Sequence, residues 1–377
     1  MRALVRPATS LSPKAMLFLL DCDVTLRVAI HDAERRESMR LRPAVLFGWS
    51  LSAVLACGLI TSASSPAADP PKNIVAITID EAKKDPDFAI QGEYEGDLGG
   101  QDGKQKWGLQ VIALGEGKFH AVAYSGGLPG AGWDKEQKAE VDGSLKDGAG
   151  TFSGEKGTAV IKNGVAVITS PKNEPLGEMN KVERKSPTLG KKPPEGAVVL
   201  FDGKSGDAFT DPKKFVDGLM SQGITSKQKF QSFSLHMEFM LSYMPAARGQ
   251  GRANSGCYMQ GRYEVQILDS FGLSGEHNEC GGIYTINKPD TNMCLPPLQW
   301  QTYDVEYTAA KFDADGKKTT NAKLTVLHNG VKIQNDVELP KGTTAAPVAE
   351  GAEPGPIYIQ DHGNPIRFRN IWLVEKK

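Results

Sequence analysis

Short stretches of this chain alternate hydrophobic and polar residues, and they are separated by tight-turn pairs such as Asp-Gly and Asn-Gly. Residues 107–114 and 118–124 alternate on either side of a Gly-Glu-Gly turn, and Asn163-Gly164 joins two further alternating runs. A period of two is typical of β-strands, and Asn-Gly favours the type I′ turn of a hairpin. We therefore predict a small β domain over residues 69–185.

Strand signals become denser after residues 186–196, a stretch rich in Pro, Gly and Lys that we interpret as a linker. Helical periodicity is almost absent from the rest of the chain. Many short strands at near-regular spacing favour a two-sheet β-sandwich over residues 197–377. The predicted strands lie at residues 197–201, 233–239, 256–259, 263–269, 282–286, 302–307, 322–328, 331–334, 357–360 and 366–374.

The N-terminus carries an export pattern that begins in the middle of the sequence. Residues 1–38 show no coherent pattern, whereas residues 39–68 contain two arginines, an apolar run and then small residues, with a cleavage site expected near Ala67 or Ala68. We expect a chain that starts at Met39, loses its signal peptide and is periplasmic or secreted. Its mature form would have no stable membrane span.

Two alternatives remain open at this end of the chain. Residues 1–38 could be a genuine extension instead of an over-extended gene start. Residues 54–57 could serve as a lipobox, in which case Cys57 would carry a lipid anchor.

Composition narrows the class of protein. Hydrophobic residues make up 40% of the chain and charged residues 24%, which is typical of a globular protein, and the net charge is -1. No cluster of Lys and Arg alternates with aromatic residues, so nucleic acid is not an expected partner.

Three cysteines follow the predicted signal peptide, without the Cys-x-x-Cys spacing of a zinc site. We predict a disulfide between Cys280 and Cys294, with Cys257 buried on a strand. Three free buried thiols are the alternative.

Polar side chains alternate along the strand predicted at residues 263–269. Glu264 and Gln266 share one face, about 6–7 Å apart because each residue advances a strand by roughly 3.3 Å. This face is either solvated or able to meet a ligand such as a sugar. The arginines at 367 and 369 also share a strand face, and Glu264 is a natural partner for them.

Two loops concentrate side chains that can exchange protons. One is the loop at residues 276–282, which contains His277 and Glu279; the other follows the strand at 357–360 and contains His362. Solvated surface loops are the alternative interpretation.

The C-terminal part of the sequence resembles the 3-keto-disaccharide hydrolase domain family. The resemblance spans residues 196–377, and planctomycetal members of the family carry a similar β unit before the domain. One departure is Asp207-Ala208-Phe209, which stands where the family usually has Gly-Trp. The matching segments, in the family's order, are residues 199–204, 254–256, 263–269, 281–284, 328–330, 360–363 and 368–371.

The strand pattern indicates an all-β protein, and the resemblance implies that its C-terminal domain is a concanavalin-like jelly roll. The resemblance also implies an enzyme that cleaves 3-keto-glycosides or 3-keto-disaccharides by hydrolysis or elimination, and the signal-peptide pattern indicates that this enzyme is exported. A ketone at the sugar C3 acidifies the hydrogen on C2, so the reaction needs a base, an acid and a group that stabilises the enolate oxygen. A divalent metal could be that group; the metal ligands stay unknown. The catalytic candidates are Glu264, Asp269, His277, Glu279 and His362, and the substrate-binding candidates are Asn254, Arg262, Gln266, Tyr284, Gln360 and Arg369.

We predict that Glu264, His277 and His362 line one cleft on the concave face of the sandwich. A non-catalytic carbohydrate-binding module is the main alternative, because jelly rolls also host lectins. A structural protein of the cell envelope is a third.

Overall fold

The regular secondary structure of the described residues is almost all β-strand, as the alternating pattern predicts. The structure, a computed structural model, describes residues 73–100 and 103–376. The predicted gene-start extension, the signal peptide and Cys57 lie outside the described residues. The described residues belong to one compact unit. None of the helices in this part of the chain has the length and apolar character needed to cross a membrane.

The N-terminal β domain is a closed antiparallel barrel of eight strands in sequence order, in which the last strand pairs with the first. Asn163 and Gly164 both have positive φ, 51° and 79°, and form the predicted hairpin turn. The strands are β1 (Gly92–Gly100), β2 (Gly103–Gly115), β3 (Lys118–Ser125), β4 (Lys138–Lys146), β5 (Ala149–Gly154), β6 (Gly157–Lys162), β7 (Val165–Thr169) and β8 (Pro175–Val182).

The buried core of the barrel includes side chains from two short helices, α1 (Ile79–Ala82) and α2 (Asp87–Ile90). A capping box between Thr78 and Glu81 begins α1. The Tyr94 hydroxyl donates to the Ile90 carbonyl at 2.6 Å, which holds α2 against the barrel.

The C-terminal domain is a jelly-roll sandwich of two antiparallel sheets, with a separate β17–β18 ribbon. The larger sheet has the order β10-β11-β22-β13-β16-β19-β20, with β9 on β22; the smaller has the order β12-β21-β14-β15. The strands are β9 (Val198–Phe201), β10 (Phe215–Val216), β11 (Leu219–Ser221), β12 (Ile224–Phe230), β13 (Phe233–Met240), β14 (Ser255–Met259), β15 (Tyr263–Ile267), β16 (Trp300–Thr308), β17 (Lys311–Phe312), β18 (Lys318–Thr320), β19 (Ala322–His328), β20 (Val331–Leu339), β21 (Gly355–Ile359) and β22 (Arg367–Glu375).

The strand predicted at residues 282–286 is reduced to a bridge between Val265 and Ile283. The amide of Asn287 donates to the Ile283 carbonyl at 3.0 Å, so the chain turns at once. The segment still lies beside β15 and extends the edge of the smaller sheet.

All three cysteines in the described residues are free and buried. The predicted disulfide between Cys280 and Cys294 is therefore not formed, although their thiols contact each other. Cys280 Sγ also lies 3.2 Å from the Tyr303 hydroxyl. Burial raises the pKa of the Cys257 thiol, so this side chain behaves as a small apolar core residue.

Candidate active site

Polar and aromatic side chains form a row across the outer face of the smaller sheet. Along β15, the side chains of Tyr263, Val265 and Ile267 enter the core. Glu264 lies between them in the sequence and therefore points to the opposite face. The strand register places Tyr258 opposite Glu264 and Tyr358 opposite Tyr258. On the other side, the Tyr284 amide donates to the Glu264 carbonyl at 3.2 Å. The resulting row is Tyr358, Tyr258, Glu264 and Tyr284.

Glu264 is a carboxyl group held in an apolar setting. Its side chain is 2% exposed. Burial raises its pKa from the ordinary 4.5 to about 7, while a hydrogen bond from Tyr258 acts in the opposite direction. No cation contributes to this balance. A carboxyl group whose pKa lies near neutrality can both accept and release a proton, which suits general acid–base work.

Gly256 makes room for this carboxyl group. A Cβ at position 256 would lie 1.9 Å from Glu264 Oε1, far inside the contact distance of two non-bonded atoms. Gly256 is paired with Gln266 on the neighbouring strand β15. Because glycine has no side chain, space remains beside the row at this position. The Asn-Ser-Gly segment of the sequence thus has a local physical function: it lets Glu264 lie flat over the sheet.

Amide side chains surround the carboxyl group. Gln360 Nε2 donates to the Tyr258 hydroxyl at 3.1 Å. Gln266 Nε2 donates to Gln250 Oε1 at 2.9 Å, and Gln266 shares the face of β15 that carries Glu264. Asn254 donates to the Gln250 carbonyl at 2.8 Å and is 1% exposed. The predicted residues Asn254, Gln266 and Gln360 therefore lie around Glu264.

The two candidate histidines occupy exposed loops near this row. His277 meets the ring of Tyr284 edge-on, with 6.4 Å between ring centroids. His362 is exposed on the loop that follows β21, and Asn364 of that loop accepts a hydrogen bond from the Asn254 amide at 3.0 Å. His277 thus lies beside Tyr284 of the row, whereas the loop of His362 reaches the site residues through the contact between Asn364 and Asn254.

Three other candidates are occupied by contacts that hold the fold. Asp269 forms a buried ion pair with Arg252 at 2.6 Å. Arg262 donates to the Ala349 carbonyl at 2.8 Å, and Glu279 accepts from the amide of Gly275 at 2.8 Å. These contacts hold each of the three side chains in the fold.

Arg369 lies on the other sheet. It pairs with Glu238 at 2.6 Å, and its guanidinium lies 3.9 Å from the ring centroid of Trp300. The expected pairing of Arg367 and Arg369 with Glu264 is therefore wrong: β22 belongs to the larger sheet, and Arg367 donates to Ser221 at 3.0 Å.

Glu238 shows why one buried glutamate differs from another. Burial acts to raise its pKa, but hydrogen bonds from His236, Asn370, Arg369 and the Gly190 amide lower it to about 2. Glu238 is thus a fixed anion, whereas Glu264 can change its charge near neutral pH.

The described residues contain no group of three or more His, Cys, Asp or Glu side chains placed to hold a metal ion. The possible divalent metal therefore gains no ligand set from the described part of the chain.

Sequence reasoning missed Tyr258 and Tyr358. Their strands were predicted, and the period of two would have placed Tyr258 with Gly256 and Tyr358 with Gln360 on the outer face. The pairing of these strands with β15 was the missing information.

Comparison with known proteins identifies the sandwich. Residues 196–374 match the family model described as the 3-keto-alpha-glucoside-1,2-lyase-like domain. Two solved structures from Parabacteroides distasonis, each named "putative glycosyl hydrolase", are similar to this part of the chain. The first is 35% identical, with 48% of this chain and 85% of that chain covered and a TM-score of 0.44. The second is 21% identical, with 48% and 95% covered and a TM-score of 0.36.

No curated protein matches the chain. By the family match and the 35% identity, this chain belongs to the 3-keto-alpha-glucoside-1,2-lyase-like domain family. The barrel, which ends at Val182, lies outside the matched residues.

Proposed function

We propose that this protein cleaves 3-keto-glycosides or 3-keto-disaccharides by elimination, with Glu264 as the base. The observation that carries the proposal is the buried carboxyl group of Glu264, whose pKa is about 7 and which has no compensating cation. Family membership supports a glycoside as the substrate.

The reaction follows from the acidity of the substrate. A ketone at C3 acidifies the C2 hydrogen, and the ionised Glu264 removes this hydrogen as a proton. The electron pair of the C2–H bond first forms an enolate at C3. When the enolate collapses, a C1=C2 double bond forms, the C1–O bond breaks and the aglycone oxygen takes up a proton. Later addition of water across the double bond would give net hydrolysis.

Neighbouring side chains have distinct tasks in this proposal. Burial and the charge of Glu264 raise the pKa of Tyr258, so its hydroxyl stays protonated and orients the carboxyl group. Tyr284 and Tyr358 flank the pair and are only half-buried; their hydroxyls can donate to the enolate oxygen. His277, beside Tyr284, can protonate the leaving oxygen.

Substrate access requires a local movement, because Glu264 is almost fully covered. The backbone that carries Tyr284 is hydrogen-bonded to β15, with the Gly281 N–H donating to the Gln266 carbonyl at 3.0 Å. We therefore infer that side chains of the row make this movement.

The test is turnover of 3-keto-glucosides and 3-keto-disaccharides by the wild type and by Glu264→Gln. General acid–base catalysis is worth about 10²–10⁴-fold, so we expect a rate loss of that order with substrate affinity retained. Glu276→Gln, at an exposed position on the neighbouring loop, is the matched control and should retain activity.

Two outcomes would overturn the proposal. Full turnover in Glu264→Gln would exclude the base. Sugar binding without turnover in the wild type would favour the carbohydrate-binding module. Running the assay with and without chelator shows whether a metal takes part.

We also propose that the protein is exported after cleavage near Ala67, on the strength of the signal-peptide pattern at residues 39–68. N-terminal sequencing of the native protein tests this. A mature N-terminus at or before residue 38 would contradict it, and a lipid on Cys57 would favour the anchored alternative.

A further inference from the structure

The inside of the barrel contains a large apolar cavity. Its volume is about 630 Å³, and its lining includes Trp107, Val141, Phe152, Ile168 and Met179. Pockets for drug-sized ligands are about 300–1,000 Å³. The cavity therefore has the size of a small-molecule site.

The space results from small residues at inward positions. Strand register places Ala121 beside Val141 and Ala123 beside Ala139, and Ala159 opposite Ile168. Eight-stranded barrels are just wide enough to be filled by large side chains or to hold one small ligand. Alanine at these positions leaves space inside the barrel, although other barrel residues such as Tyr94 and Phe119 belong to a buried core.

The lining also defines the chemistry of a ligand. Trp107, Val141 and Ile168 are only partly buried although they point into the barrel. Covering such apolar surface is favourable by about 25 cal/mol per Å². The charged lining residues Glu140, Glu155 and Lys156 are all exposed, so charge is confined to the rim.

We propose that the barrel binds one small molecule with an uncharged, apolar body, such as an acyl chain, and that the polar end of this ligand stays at the rim. A cavity of about 150 Å³ admits one benzene, so the barrel has room for a long chain. The site is separate from Glu264 and does not depend on the activity proposed for the sandwich.

Binding is tested on the purified protein with cis-parinaric acid, a fluorescent acyl chain, and with dodecanol as the competitor. Dodecanol should displace the probe, and glucose should not. If dodecanoate displaces the probe and dodecanol does not, binding depends on a charged head group and not on the apolar body, which would overturn the proposal. Absence of saturable probe binding would overturn the proposal.

Two neighbouring positions on β6 provide a matched pair of variants. Ala159→Phe places a ring inside the cavity, whereas Val160→Phe places the same ring on the outer surface, where Val160 is 39% exposed. We expect Ala159→Phe to weaken probe binding at least about tenfold and Val160→Phe to leave it unchanged. Both variants should retain glycoside turnover, which separates this site from the sandwich. Equal binding by both variants would contradict the proposal.

A measurement on a milder variant covers the case in which Ala159→Phe does not fold. Brominated dodecanol quenches tryptophan only at contact, so it should quench the wild-type fluorescence through Trp107. Most of that quenching should disappear in Trp107→Phe. Unchanged quenching would show that the chain binds elsewhere and would overturn the assignment.

Discussion

Replacing the Glu264 carboxyl group by an amide should make the fold more stable at alkaline pH. Glu264 has a pKa of about 7 in the folded protein, against an ordinary value of 4.5. Below 4.5 the carboxyl group is protonated in both states, and its contribution to stability is complete. As the pH rises from 4.5 to about 7, the unfolded chain releases the Glu264 proton while the folded protein keeps it. The free energy of unfolding therefore falls over this interval.

The size of the effect follows from the two pKa values. The interval from 4.5 to about 7, at 1.36 kcal/mol per pH unit, corresponds to about 3 kcal/mol. Glutamine is neutral at every pH and does not undergo this loss. Glu264→Gln should therefore be more stable than the wild type by up to about 3 kcal/mol above pH 7, with little difference in acid.

Urea unfolding of both proteins across about pH 5 to 9 measures the effect. Glu238→Gln is the control, since the pKa of Glu238 is lowered to about 2; this variant should lose stability at neutral pH. If Glu264→Gln keeps the wild-type pH dependence, Glu264 is not an uncompensated buried carboxyl group, and the basis for its catalytic role fails.

Three further predictions concern the site and its support. Gly256→Ala should displace the Glu264 carboxyl group and lower turnover by about 10–10²-fold. It should also lower the free energy of unfolding in urea by about 1–3 kcal/mol. Normal turnover would show that the close approach of Gly256 to Glu264 is unimportant. Tyr258→Phe removes a hydrogen bond that lowers the Glu264 pKa, so the limb of the pH–rate profile set by Glu264 should move to higher pH, and an unmoved limb would contradict this. Asp269→Asn breaks the buried ion pair with Arg252 and should lower the free energy of unfolding in urea by about 3–5 kcal/mol. Turnover by the folded fraction should persist. Selective loss of turnover would instead indicate that Asp269 is catalytic.

Local pattern was sufficient for most of the strands and for the face on which their residues lie, although it missed β10, β11 and β12 and predicted a strand at 282–286 that is only a bridge. The period of two in residues 263–267 determined that Glu264 and Gln266 would leave the core together, since alternate side chains of a strand point to opposite faces. The Asn163-Gly164 hairpin was equally local, because only residues that tolerate positive φ accept its turn. The family resemblance also rested on short segments that the sequence displays directly.

Strand order was decided only by the tertiary structure. Residues 264 and 369 were expected to meet, but β15 and β22 belong to opposite sheets. Conversely, Tyr358 joins Glu264 through Tyr258, from a strand about ninety residues further along the chain. Alternation gives the direction of a side chain within one strand. The neighbour of that strand depends on burial summed over the whole sandwich, and so does the desolvation that raises the Glu264 pKa. The cavity depends in the same way on how the eight strands close into the barrel.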